Sequence, residues 1–274
     1  MIPTSTYVLC GIMAFVGFLG PIILAVWWLR KHREEKFTTI LIGTGVWFLF
    51  AMVLETIPKV FLLTPTTSVG AAISSNPWLM VVVAALLAGI FEETGRFLAY
   101  KTVLKKKQCR ETAITYGIGH GGFEAMYILM VVAAQNIIFS ILINTGRFQS
   151  IIDQATEQGA ALDSIKTIPE QLASLSILDV SVSIGERVFA VLLHIALSII
   201  VFYGVKKTKA WPYILSIFLH ALIDVQAGLY QTGVINIYIT EVLIAVYAII
   251  IFVIAYKTFY KKLRPIDLNG IKEP

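Results

Sequence analysis

Apolar residues in this chain run on continuously instead of alternating with polar ones. Seven such stretches stand out, from Thr6 to Leu29, Phe37 to Leu63, Trp78 to Val103, Ala113 to Ile143, Ile177 to Val205, Trp211 to Tyr230 and Ile237 to Tyr256. Each reaches the ~20 residues a helix needs to cross the hydrocarbon core. Only helices or closed barrels satisfy the backbone there, and the missing two-residue period argues against a barrel. The predicted fold class is all-α: a polytopic membrane helix bundle of about seven transmembrane helices. Gly117, Gly119, Gly121 and Gly122 punctuate the fourth and longest stretch, which predicts a tilt, a break or very close packing there.

Composition closes off the alternatives. Of 274 residues, 57% are apolar and only 14% charged, against roughly a quarter charged in an ordinary soluble protein. One soluble core could not hide that much apolar surface, and disordered and collagen-like classes are excluded too. Residues 1–274 are expected to form a single integral membrane domain.

Charge then orients the spans. Arg30, Lys31, Arg33 and Lys36 follow the first span, Lys105, Lys106, Lys107 and Arg110 the third, Lys206, Lys207 and Lys209 the fifth, and Lys257, Lys261, Lys262 and Arg264 the seventh. The intervening connections hold only Lys59, Arg147 and Lys166. The positive-inside bias puts the N-terminus outside and the C-terminus in the cytoplasm. These anchors account for the net charge of +5, so no nucleic-acid partner is called for. The first span has no positive charge before Arg30 and no small-residue cleavage site, and is read as retained. Cys10 and Cys109 then fall on opposite sides of the bilayer, which rules out a disulfide between them.

Residues 144–176 form the one sizeable extracytoplasmic loop. Ile151, Ile152, Ala155, Ala160 and Leu162, set among Asp153, Glu157 and Asp163, predict an amphipathic surface helix. Thr167, Pro169 and Glu170 predict the start of another.

Polar groups interrupting the spans carry the functional information. The third span contains Glu92-Glu93-Thr94-Gly95-Arg96, the fourth Gly119-His120-Gly121-Gly122-Phe123-Glu124, the fifth Glu186-Arg187 and His194, and the sixth His220 and Asp224. A charge at a helix centre costs ~2.5–3.5 kcal/mol on insertion scales, so these groups must pair or face water, and they are functional candidates by default. Their depth is common to all four helices. Glu92 stands nine residues before Lys101, His120 ten after Arg110, His194 twelve before Lys206 and His220 eleven after Lys209. At ~1.5 Å per residue, all four lie roughly 14–18 Å from the same boundary. Glu92 and Arg96, His120 and Glu124, and His220 and Asp224 are each four apart and share a face. Glu93 points about 100° away from Glu92 and can have a different task. Glu186 and Arg187, nearer the outer face, are read as a structural pair, and Glu55 and Glu241 as interfacial.

Carboxylates and imidazoles gathered in one buried layer can activate water for peptide hydrolysis. The same groups could hold a divalent metal, although there is no His-Glu-x-x-His motif. A non-proteolytic binding protein or a proton-coupled transporter would use similar residues, but no internal repeat is evident.

The block Glu92-Glu93-Thr94-Gly95-Arg96 resembles the opening motif of the CPBP (Abi) intramembrane proteases, the superfamily of the CAAX prenyl endopeptidases. The segment from Phe189 to His194 is similar to their second motif, and His220-Ala-Leu-Ile-Asp224 to their third. The additional block from Gly117 to Glu124, with Glu186-Arg187, most resembles the YhfC branch, related to the PrsW proteases. The resemblance covers spans three to six, about residues 78–230. It implies a glutamic-type intramembrane endopeptidase with Glu92 as base and Glu93 and Arg96 structuring the site. His194, His220 and Asp224 would be the water and oxyanion partners, and His120 and Glu124 would complete the site or bind metal. No cofactor is required on that reading. A metallopeptidase is the alternative, with zinc or another divalent ion on His120, Glu124, His194 and His220. The implied substrate is a membrane protein, a peptide or a lipidated peptide, met in the bilayer of a bacterial cell membrane.

Overall fold

The computed structural model describes residues 1–157 and 163–263. Among them there is no strand, and seven helices are long and apolar enough to span a membrane. The helices are α1 (Thr4–Lys31), α2 (Phe37–Trp47), α3 (Thr56–Leu63), α4 (Ser68–Ser74), α5 (Pro77–Lys101), α6 (Glu111–Asn144), α7 (Phe148–Glu157), α8 (Asp163–Lys166), α9 (Ile168–Ala173), α10 (Ile177–Lys206), α11 (Trp211–Gln231) and α12 (Ile237–Ile254). Spans one, three, four, five, six and seven are carried by α1, α5, α6, α10, α11 and α12. Span two is α2 and α3 joined through a π-helical turn at Phe48–Leu54. The seventh span likewise ends in π and 3₁₀ turns. Exposed side chains such as Phe15, Ile23, Trp78, Val188, Phe218 and Val242 are the lipid-facing surface of these helices.

The chain divides into two compact units. The first is Met1–Pro21 with Ala125–Arg187. Leu9, Cys10, Met13, Leu129, Ala133 and Val180 form its core. Asn144 exchanges hydrogen bonds with both backbone groups of Ile2, and the Thr6 hydroxyl donates to the Leu172 carbonyl at 2.9 Å. The loop helices α7, α8 and α9 belong here. The predicted amphipathic helix is α7, and the second predicted start is α9, with Pro169 in its first turn. Ala160 and Leu162 lie outside the described residues, as does Arg264.

The second unit is Ile22–Glu124 with Val188–Pro274, described as far as residue 263. Its α5 and α11 run antiparallel in close contact. A β-carbon at Gly89 would meet the Ile217 carbonyl oxygen at 2.7 Å, and one at Gly228 would meet Val81. Thr94 and Tyr213 hydroxyls are hydrogen-bonded at 2.7 Å, and Phe97 stacks on the Tyr213 ring. Helix α6 is unbroken through its glycines. Close packing explains them: a β-carbon at Gly117 would come 2.7 Å from Ile195 Cα, and one at Gly119 would fall on the backbone of Ile40. The basic ends of the spans lie over aromatic rings, Lys31 on Trp27, Lys101 on Phe97, Lys206 on Phe202 and Arg110 on Tyr260. Cation–π contact and an apolar stem suit such side chains to a membrane boundary.

Candidate functional site

The polar layer expected from sequence depth is a real cluster within the second unit. Glu92, Glu93 and Arg96 reach it from α5, His120 and Glu124 from α6, His194 from α10, and His220 and Asp224 from α11. Glu92, Glu93, Arg96, His120, His194 and His220 are all buried. The Asp224 side chain is 35% exposed and forms the open edge of the cluster.

Partner choice differs from the simplest reading of helical phase. His120 Nε2 lies 2.9 Å from Glu92 Oε2, and His194 Nε2 lies 2.6 Å from Glu124 Oε2. Arg96 bonds Glu93, not Glu92. Of the three i, i+4 pairs, His220 and Asp224 meet at 3.5 Å, and His120 and Glu124 bring donor atoms within 4.8 Å of each other. Sharing a face sets direction, and the neighbouring helix, one backbone contact away, supplies the nearer partner.

Behind this front row, Glu93 and Arg96 form a fully buried ion pair. Glu93 Oε1 also lies 2.9 Å from His220 Nδ1, and an Arg96 terminal nitrogen lies 3.0 Å from His194 Nδ1. The His194 ring is 4.9 Å from that of His120 and 5.2 Å from that of His220. The Ser198 hydroxyl donates to the His194 carbonyl at 2.6 Å, continuing the α10 stripe. Glu186 and Arg187, in the first unit, are hydrogen-bonded to each other.

One donor atom from each of Glu92, His120, Glu124 and His194 lies within 4.8 Å of the others. Two carboxylates and two imidazoles are a donor set that suits zinc. The buried Nδ1 of His120 has no hydrogen-bond partner, unusual enough for a buried polar atom to need a cause. These residues fit a divalent ion. His220 stands beside the quartet, its Nε2 4.0 Å from Glu92 Oε2.

A family model described as YhfC intramembrane metalloprotease matches residues 12–247. The chain belongs to the YhfC family. The match reaches from the first span into the seventh, well beyond the motif-bearing spans. The Uncharacterized membrane protein YhfC of Bacillus subtilis (strain 168) is 31% identical over 236 residues, 86% of this chain and 89% of that protein. No solved structure matches the chain. Integral membrane location and membership of an intramembrane-protease family follow for this YhfC-family chain.

One neighbour of the site escaped the sequence reading. Glu55, expected at the interface, is only 1% exposed. The π-turn before it re-aims span two, and nothing in the uniformly apolar Phe48–Leu54 signals that turn. The i, i+4 spacing of Glu55 and Lys59, which pair at 2.6 Å, was the available hint.

Proposed function

We propose that this chain is an intramembrane endopeptidase that hydrolyses a peptide bond of a membrane-embedded or lipidated substrate, with a divalent ion held by Glu92, His120 and Glu124. The observation that carries this reading is the convergence of Glu92, His120, Glu124 and His194 within 4.8 Å. A catalytic zinc site characteristically uses three protein ligands and leaves one position open. When bound, the ion supplies Lewis acidity, polarising the scissile carbonyl and acidifying water.

The remaining groups divide the proton work. Arginine can only donate hydrogen bonds, so Arg96 makes Nδ1 of neutral His194 an acceptor and leaves the ring proton on Nε2. That makes His194 the quartet member suited to donate, at rest to Glu124 and during reaction to the carbonyl oxygen as it gains charge. Glu93 does the opposite at His220. It accepts from Nδ1–H and turns Nε2 toward Glu92 and Asp224. A gap of 4.0 Å from Glu92 is within the reach of one intervening water. His220 is the proton-transfer group, and the partly exposed Asp224 is its outlet. Glu93 and Arg96 are positioning residues that hold two histidines in opposite senses.

A second reading has a specific observation in its favour. Glu92 Oε2 is already hydrogen-bonded to one imidazole and faces another, so Glu92 itself could be the base of a metal-free mechanism. Basic residues and their aromatic supports at one end of the spans favour an N-terminus outside, a C-terminus inside and access from the cytoplasm.

Cleavage of a single-span reporter by the purified chain in proteoliposomes tests both. Glu92→Gln, folded as judged by its thermal transition, is expected to lose roughly a hundredfold or more of the rate. A folded Glu92→Gln variant that cleaves normally sinks both mechanisms. Activity lost on chelation and restored by zinc supports the metal reading, whereas cleavage surviving exhaustive chelation supports Glu92 as base.

A further inference from the structure

Span two approaches the site along a defined path. Its Ile40 lies on Gly119, and Gly43 sits against the Tyr116 carbonyl and the His120 amide. The Thr44 hydroxyl donates to the Gly119 carbonyl at 3.1 Å. One turn on, Trp47 meets Phe123 edge to face, and Phe50 rests on Gly95, between Glu92 and Arg96 in sequence. The π-turn follows at this point. Such a turn holds one residue more than an α-turn, and one residue of slip rotates everything beyond it by about 100°. Glu55 is the first residue after the turn; it is buried, and its amide donates to the carbonyl of Phe50, the residue whose ring rests on Gly95 of the helix that carries Glu92. Lys59, 42% exposed, pairs with it from one helical turn further on. π-Turns inside α-helices recur at functional sites, and a carboxylate buried inside the protein needs a reason.

We propose that Glu55 is a further residue of the metal centre: an outer carboxylate whose charge strengthens the hold of Glu92, His120 and Glu124 on a divalent cation, with Lys59 as the opposing charge. This rests on the metal-holding reading above. Glu55 acts through the ligands and is a positioning residue. A simple tether of one helical turn is the competing account, and the two differ in sign. A tether loses the same ion pair whichever partner is removed. An electrostatic role makes the two substitutions act oppositely on a cation.

The experiment is zinc affinity of the full chain in detergent micelles, measured by competition with a chromophoric chelator, alongside the visible spectrum of the cobalt(II)-loaded protein. Glu55→Gln is expected to weaken zinc binding roughly tenfold, the lower end of what outer-shell partners contribute. The cobalt spectrum should keep its shape, since no ligand is lost. Lys59→Met is expected to tighten binding about two- to threefold, less because Lys59 is half in solvent and screened. Affinities that stay unchanged, or that move in the same direction in both variants, overturn the Glu55 assignment while leaving the metal centre standing. A wild-type chain that takes up no zinc removes the metal centre, and the Glu55 assignment falls with it.

Discussion

Replacing Glu93 by glutamine should unfold this protein far more readily than its small size as a change suggests. Glu93 and Arg96 are both completely buried and bonded to each other. Glutamine keeps the volume and one acceptor oxygen for His220, so packing is nearly constant. What changes is that the Arg96 guanidinium loses its counter-charge, with its Nε already unpartnered. Breaking a buried pair from one side costs about 3–5 kcal/mol. Set against a typical total of about 5–15 kcal/mol, that predicts a fall in Tm of roughly 10 °C. Arg96→Met strands the carboxylate and should cost on the same scale. The double variant Glu93→Gln/Arg96→Met removes both charges, and replacing a whole buried pair is often close to neutral. The expected signature is a double variant more stable than either single one, with a coupling larger than either single loss and about 6–10 kcal/mol where the double variant is neutral. Thermal unfolding in micelles, followed by tryptophan fluorescence, measures it; Trp28 and Trp47 are buried reporters. The double variant should fold yet cleave poorly, because His194 loses the Arg96 donor that fixes its ring proton and His220 keeps only an uncharged amide acceptor in place of the Glu93 carboxylate. Additive losses, or a Glu93→Gln variant within about 1 kcal/mol of wild type, would refute this account of the pair.

Two further outcomes follow from packing and from the loop ahead of α6. Gly119→Ala would drive a β-carbon onto the Ile40 backbone and should cost about 1–3 kcal/mol, whereas Gly45→Ala meets nothing within 4 Å and should be neutral or stabilising by up to ~1 kcal/mol; equal Tm values for the two would contradict the packing. Burial, and then the neighbouring Glu111 and Glu35 carboxylates, push the Cys109 thiol up from its usual range. Its thiolate is therefore scarce at neutral pH, and a membrane-impermeant maleimide should label it slowly, faster as pH rises, and only from the cytoplasmic side of sealed vesicles, while buried Cys10 stays unlabelled. Rapid labelling at neutral pH, or labelling from the outer side, would count against the thiol's surroundings or the orientation respectively.

The spans were legible because hydrocarbon imposes one demand, some twenty apolar residues, and the chain meets it in seven places. The polar layer was legible for a related reason. Basic residues mark the boundary, and counting inward from Lys101, Arg110, Lys206 and Lys209 gives depth directly. The pairings inside the layer were not legible. Phase says that His120 and Glu124 share a face, yet His120 meets Glu92 of α5 and Glu124 meets His194 of α10. Those contacts depend on separations between helices, a quantity one helix's residues do not encode. Glu55 was missed for a third reason. Hydropathy reads composition, and Phe48–Leu54 has the same composition whether its hydrogen bonds run to the fourth residue or to the fifth.

The glycines and the histidine of α6 are best understood as one device. At 100° per residue, Gly117 and Gly121 share a face, Gly119 lies about 180° from it, and His120 points between the two. Gly117 and Gly121 admit α10, with Ile195 and His194 resting where side chains would otherwise stand, and Gly119 admits Ile40 of α2. Backbone contact on both sides leaves His120 one direction in which to extend, toward Glu92 of α5. Glu124, four residues on, lies within about 40° of the Gly117–Gly121 face, which is why its partner is His194 on α10. The bundle does not assemble and then acquire a site. The same omission of side chains that lets α10 and α2 close on α6 is what sets His120 and Glu124 within a hydrogen bond of Glu92 and His194.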